Sequence, residues 1–73
     1  MYEAVDGTRI GKKIKELRLQ KKMTAEDLAK ALGISASAVI MYEAGNRIPR
    51  DEIKIKIADF FDCSIESIFY SIK

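Results

Sequence analysis

Residues 23–49 read MTAEDLAKALGISASAVIMYEAGNRIP, and how this stretch folds decides the fold of the chain. Thr24, with Asp27 three residues on, resembles a capping box in which Asp replaces Glu. Leu28, Ala29 and Leu32 then form an apolar stripe at helical spacing. Gly33 stops that helix, because glycine takes a left-handed conformation at little steric cost. The first helix of the stretch therefore runs over about residues 25–32. Ser35 is an N-cap for a second helix over about 36–43, with Val39 and Tyr42 pointing inward. Ala44-Gly45-Asn46 ends it. Two short helices joined by a turn around a glycine make a helix-turn-helix unit.

Upstream, residues 1–8 are expected to form a short arm, with Asp6 or Thr8 as N-cap of a helix over about 9–21. Ile10, Ile14 and Leu17 fall on one face of it. Lys21-Lys22 at its end complements the helix dipole. Downstream, Asn46 to Pro49 form a loop, and Arg50-Asp51-Glu52 opens a helix over about 50–61. Within it Ile53-Lys54-Ile55-Lys56-Ile57 alternates with period 2, as a strand would. No other segment alternates to partner such a strand, and Ile53, Ile57, Ala58, Phe60 and Phe61 also satisfy helical spacing, so helix is the expectation. Ser64 caps a last helix over about 65–70 that buries Ile65, Ile68 and Phe69. No internal repeat appears. Five short helices with short links make a compact all-α domain over residues 9–73. Phe60, Ile68, Phe69, Tyr70 and Ile72 form apolar area in excess of a small core, expected to serve self-association.

The chain has 73 residues, with 48% hydrophobic and 33% charged, which suits one small soluble domain. No apolar run approaches the ~18 residues of a membrane span. The acidic start, Met1 to Asp6, does not resemble a signal peptide. A cytoplasmic protein with no membrane partner is expected. The single cysteine, Cys63, lies between apolar neighbours and is expected to be a small buried hydrophobe. The chain has no His, so the commonest general base and metal ligand is absent. No Cys/His cluster has zinc spacing, and no carboxylate pair is marked for catalysis. Neither an enzyme, nor a metal site, nor a cofactor, nor a small-molecule ligand is expected. Net charge is only +2. However, Arg9, Lys12, Lys13, Lys15, Arg18, Lys21 and Lys22 face Glu16 alone within residues 9–22. That run suits a polyanion, or else is the solvated face of an ordinary helix.

The stretch resembles the helix-turn-helix of the phage-repressor and Cro type, the XRE family, whose pattern is roughly LTQEELAxxLGVSxxxISxxExGxRxP. Thr24, Leu28, Ala29, Leu32, Gly33, Ser35, Val39, Glu43, Gly45, Arg47 and Pro49 match it. The tail IADFFDCSIESIF, residues 57–69, resembles the family's closing LAKALGVSLDELF. The resemblance implies a five-helix, lambda-repressor-like DNA-binding domain. It also implies an ion pair between Arg18 and Glu43 that sets geometry more than stability. The partner would be double-stranded DNA. The helix over 36–43 would lie in the major groove, with Ala36, Ser37, Ile40 and Met41 towards the bases. Thr24, Ala25 and Ser35 at helix starts, and Asn46, Arg47 and Arg50 in the loop, would hold phosphates. Function would be transcriptional regulation, in the first instance repression, by a homodimer on a palindromic operator.

Two departures from the pattern matter. The family often has Gln where this chain has Ala25, whose side chain can neither hold a phosphate nor brace a base reader. None of Ala36, Ser37, Ile40 and Met41 can make a bidentate contact to guanine or adenine. One function is then a regulator reading T-rich half-sites by methyl contact and DNA shape. The alternative is a module that binds a protein through the same apolar helix, with one of Ile40 and Met41 expected in the domain's own core.

Overall fold

The computed structural model describes residues 2–4 and 6–72. In chain order the elements are β1 (Tyr2–Ala4), α1 (Gly7–Gln20), α2 (Ala25–Leu32), α3 (Ala36–Glu43), α4 (Asp51–Phe61), α5 (Ile65–Phe69) and β2 (Tyr70–Ile72). The five helices follow the caps read from the sequence. Asp6 Oδ1 accepts from the Arg9 N–H at 2.9 Å, so Asp6, not Thr8, starts α1. Ser35 and Ser64 accept from the N–H groups of Ala38 and Ser67.

Each of the first four helices ends in the same way. The pairs Lys22 N to Leu19 O and Met23 N to Arg18 O close α1, and Gly33 N to Lys30 O and Ile34 N to Ala29 O close α2. Gly45 and Asn46 close α3 on Tyr42 O and Met41 O, and Asp62 and Cys63 close α4 on Asp59 O and Ala58 O. These are Schellman closures, which need one left-handed residue. That residue is Lys22, Gly33, Gly45 and Asp62 in turn, with φ of 57°, 70°, 80° and 54°. Lys22 and Asp62 carry a Cβ in a conformation that opposes it.

Among the described residues, thirteen hydrophobic side chains form the core. They include Ile10, Ile14 and Leu17 of α1, Leu28, Ala29 and Leu32 of α2, and Val39 and Tyr42 of α3. Ile57, Ala58 and Phe61 of α4 and Ile68 and Phe69 of α5 close it from the other side. Within α4, Ile57 is buried, Ile53 half-buried and Ile55 50% exposed, which is the helical and not the strand pattern. Lys54 lies against the Tyr70 ring, 5.2 Å from its centroid, and Lys54 Nζ donates to Tyr70 Oη at 3.4 Å.

Three expectations change. Residues 1–8 contain β1 and the first turn of α1 rather than only an arm. β1 pairs antiparallel with β2, Glu3 opposite Ser71, a long-range pairing that three-residue strands cannot announce by periodicity. Ile68 and Phe69 are buried in the domain's own core, so they offer no surface for self-association. Phe60 and Tyr70 are half-buried, and the side chain of Ile72 lies outside the described residues. Finally, the chain does use one link twice. Leu28, Ala29, Leu32, Gly33, Ser35 and Val39 correspond in position to Ile57, Ala58, Phe61, Asp62, Ser64 and Ile68. Only core and cap positions recur, so overall identity conceals the match.

Gly11 permits the closest approach of any of the four glycines. A Cβ there would meet the carbonyl oxygens of Tyr42 and Glu43, each at 2.5 Å. Backbone cannot retreat as a side chain can, so Gly11→Ala is expected to destabilise by about 2–3 kcal/mol. Lys22→Gly is expected to stabilise by about 1 kcal/mol, by removing the left-handed penalty. Urea denaturation of both variants checks the opposite signs.

Candidate nucleic-acid interface

The α2–turn–α3 unit is held from behind by one side chain. Arg18 Nε donates to Glu43 Oε2 at 2.7 Å and Nη2 donates to Oε1 at 2.9 Å. This is a bidentate fork, the strong geometry for guanidinium and carboxylate. The remaining arm, Nη1, donates to Met23 O at 2.8 Å. The two side chains are 12% and 10% exposed. The hydrogen bonds from Arg18 to Glu43 hold the guanidinium's pKa above its usual value, against the opposing effect of burial. A raised arginine pKa means that the charge is lost only at strongly alkaline pH. Arg18 thus joins the end of α1, the entry to α2 and the end of α3.

α3 presents two faces. Taking roughly 100° per residue, Ala36, Ile40, Ser37 and Met41 form one continuous stripe, opposite buried Val39 and Tyr42. Ser37, Ile40 and Met41 are exposed, whereas Ala36 is half-buried and packs against the core. Both Ile40, at 56%, and Met41, at 40%, are open to solvent. The expectation that one of them belongs to the core is therefore wrong: Val39 and Tyr42 already fill the side that α1 and α2 cover.

The helix starts differ in their suitability for phosphate. Thr24 Oγ1 accepts from Asp27 N and Asp27 Oδ2 accepts from Thr24 N, each at 3.0 Å. The hydrogen bond from the Thr24 N–H, followed by one from the Thr24 side chain, holds the Asp27 carboxyl below its usual pKa. The Ala25 and Glu26 amides remain the unpaired donors of the first turn, but Glu26 and Asp27 stand beside them. Ala25 itself is half-buried. At α3, Ser35 caps Ala38 at 3.1 Å, and no acid lies in the first turn. The α3 start is the better anion site of the two. Asn46, Arg47 and Arg50 are exposed, and among the described residues neither arginine is in an ion pair. They lie in the loop just beyond α3.

Part of the basic run of α1 lies on another face. Arg9, Lys12, Lys13 and Glu16 line an open cleft of about 380 Å³ with Ser67, Ile68 and Tyr70, on the side of α1 turned away from Gly11 and α3. Lys21 Nζ sits 5.4 Å from the centroid of the Phe60 ring. Two positions that build the unit, Gly11 and the Met23 carbonyl, were not singled out from the sequence. A glycine in mid-helix, where it weakens the helix, is the one signal that could have marked Gly11.

Residues 14–68 match a family model described as helix-turn-helix. The chain belongs to this helix-turn-helix family. It is 44% identical over 57 residues to an uncharacterized HTH-type transcriptional regulator of Methanocaldococcus jannaschii, covering 78% of this chain and 86% of the relative. It is similar to the restriction-modification controller protein C.AhdI of Aeromonas hydrophila, with TM-score 0.79 and 28% identity over 86% of this chain and 96% of the other. It is also similar to SinR, the master regulator for biofilm formation, solved in complex with DNA. There the TM-score is 0.75 and the identity 25%, over 81% of this chain and 95% of the other. The family is one of DNA-binding transcriptional regulators and not of enzymes. Among the described residues no helix is long and apolar enough to cross a membrane.

If the Arg18 fork sets the position of α3, its two partners act as a unit. Arg18→Met and Glu43→Gln are each expected to cost about 2–3 kcal/mol. The double variant should cost less than the two losses added together. A thermodynamic cycle by urea denaturation measures this, and additive losses would show that the two side chains act independently.

Proposed function

We propose that this protein represses transcription by occupying a palindromic operator as a homodimer, with α3 of each protomer in the major groove. The observation that carries the reading is the arrangement of α3. Its outward stripe is free, its N-terminus carries no acid, and exposed Arg47 and Arg50 follow in the adjoining loop. A helix-turn-helix uses these parts in this order: the second helix enters the groove, while helix starts and loop cations hold phosphates. The likeness to a regulator solved with DNA supports this placement. Ser35, Asn46, Arg47 and Arg50 are then the main phosphate contacts, with Thr24 and Ala25 weaker because of Glu26 and Asp27. Half-sites should lie about one turn, ~34 Å, apart or a multiple of it.

Selection of bound sequences from a random duplex pool is expected to enrich a palindrome, and a failure to enrich any sequence would sink sequence-specific regulation. Arg47→Ala is expected to weaken binding to every duplex alike and to flatten the salt slope by about one unit per protomer. Titrations at several salt concentrations measure both effects. Sedimentation with and without the selected duplex tests the dimer, and a single protomer on the full palindrome would contradict it.

A further inference from the structure

We infer that Ile40 and Met41 read thymine 5-methyl groups, so that the protein selects its operator by apolar contact rather than by bidentate hydrogen bonds. The inference rests on α3 entering the major groove. Three observations carry it. First, both side chains are exposed, 56% and 40%, and flank Ser37 on the face opposite Val39 and Tyr42. Second, the only polar side chain that shares this stripe is Ser37, which can donate to or accept from several bases and therefore discriminates little. Third, the cations lie beyond the stripe, at Arg47 and Arg50, where they suit phosphates and leave the stripe itself uncharged.

The chemistry of the groove then names the ligand. Its floor presents donors and acceptors at every base pair, and the thymine methyl is its one apolar feature. Ile40 or Met41 set against a methyl removes two apolar surfaces from water together. The same side chain set against the cytosine amino group, or against guanine N7 and O6, strips water from a polar group and returns no hydrogen bond. Selection for thymine is therefore both attraction and penalty. An eight-residue helix is about 12 Å long, matching the ~12 Å width of the groove. Two neighbouring readers on it suit at least one thymine, and at most a short run, in each half-site.

Deoxyuridine tests the idea, because it lacks only the methyl and keeps the hydrogen-bonding edge of thymidine. Each thymine of the selected duplex is replaced by deoxyuridine in turn, and the affinity of the protein is measured. At the thymines that are read, binding is expected to weaken about three- to fivefold, the effect of one apolar group returned to water. Ile40→Ala and Met41→Ala should each abolish the loss at their own thymine, and thermal melts should show both variants folded, since neither side chain is in the core. If deoxyuridine is bound as tightly as thymidine at every position while binding remains salt-sensitive, methyl reading is wrong although the protein binds DNA. If both variants keep the full deoxyuridine penalty, some other residue reads the methyls and the assignment fails. If no salt-sensitive DNA binding is seen at all, the groove placement fails with it, and the apolar stripe is a surface for a protein.

Discussion

The contact between α1 and the end of α3 is the constraint on which the rest of the structure depends. α3 has eight residues, fewer than a helix needs to be stable in isolation. It buries only Val39 and Tyr42. Its position comes from outside. Gly11 lets the α1 backbone approach the Tyr42 and Glu43 carbonyls, and the Arg18 fork grips the Glu43 carboxylate from the same side of α1. Removing two charges from water offsets much of the Coulombic gain of such a pair. Its effect is geometric: a single rigid side chain fixes α3 relative to α1, and through Met23 O relative to the start of α2.

Short links carry that geometry through the domain. Lys22, Gly33, Gly45 and Asp62 each turn the chain through the left-handed region immediately after a helix. Where the turn bridges α2 to α3 and α4 to α5, the next helix begins at once on a serine cap. A link of this type has little freedom, so burying Ile34 or Cys63 partly against the core also sets the direction of the following helix. Glycine serves two of the four turns without strain. Lysine and aspartate serve the others, and packing on both sides must hold them there.

Residues of different chemistry are segregated around α3. Exposed Arg47 and Arg50 follow α3, whereas its outward stripe is uncharged. On the proposed reading, that division separates general affinity, which comes from phosphates, from selection, which comes from the groove. Five of the seven basic residues between Arg9 and Lys22 are engaged elsewhere. Arg18 faces Glu43 and Lys21 covers Phe60, while Arg9, Lys12 and Lys13 border a cleft on the other side of α1. A run of charge on one helix radiates around its axis, so proximity in sequence does not make a patch.

What the sequence by itself determined is local. Thr24, Ser35 and Ser64 as caps, Gly33 and Gly45 as stops, and the stripes of α1, α2 and α4 were all legible, because a cap or a Schellman turn is completed within six residues. The resemblance to the family added one long-range pair, Arg18 with Glu43. Tertiary structure alone decided the rest. Gly11 is essential only because another backbone crosses it. Ile40 and Met41 are both exposed because α1 and α2 already enclose the opposite face of α3. Ile68 and Phe69 are core rather than interface because α5 folds back towards α1 and α4, and β1 finds β2 across the whole length of the chain. A cap is satisfied by its own neighbours, but whether an apolar residue is covered depends on which helices arrive above it, and that information is distributed over the entire chain.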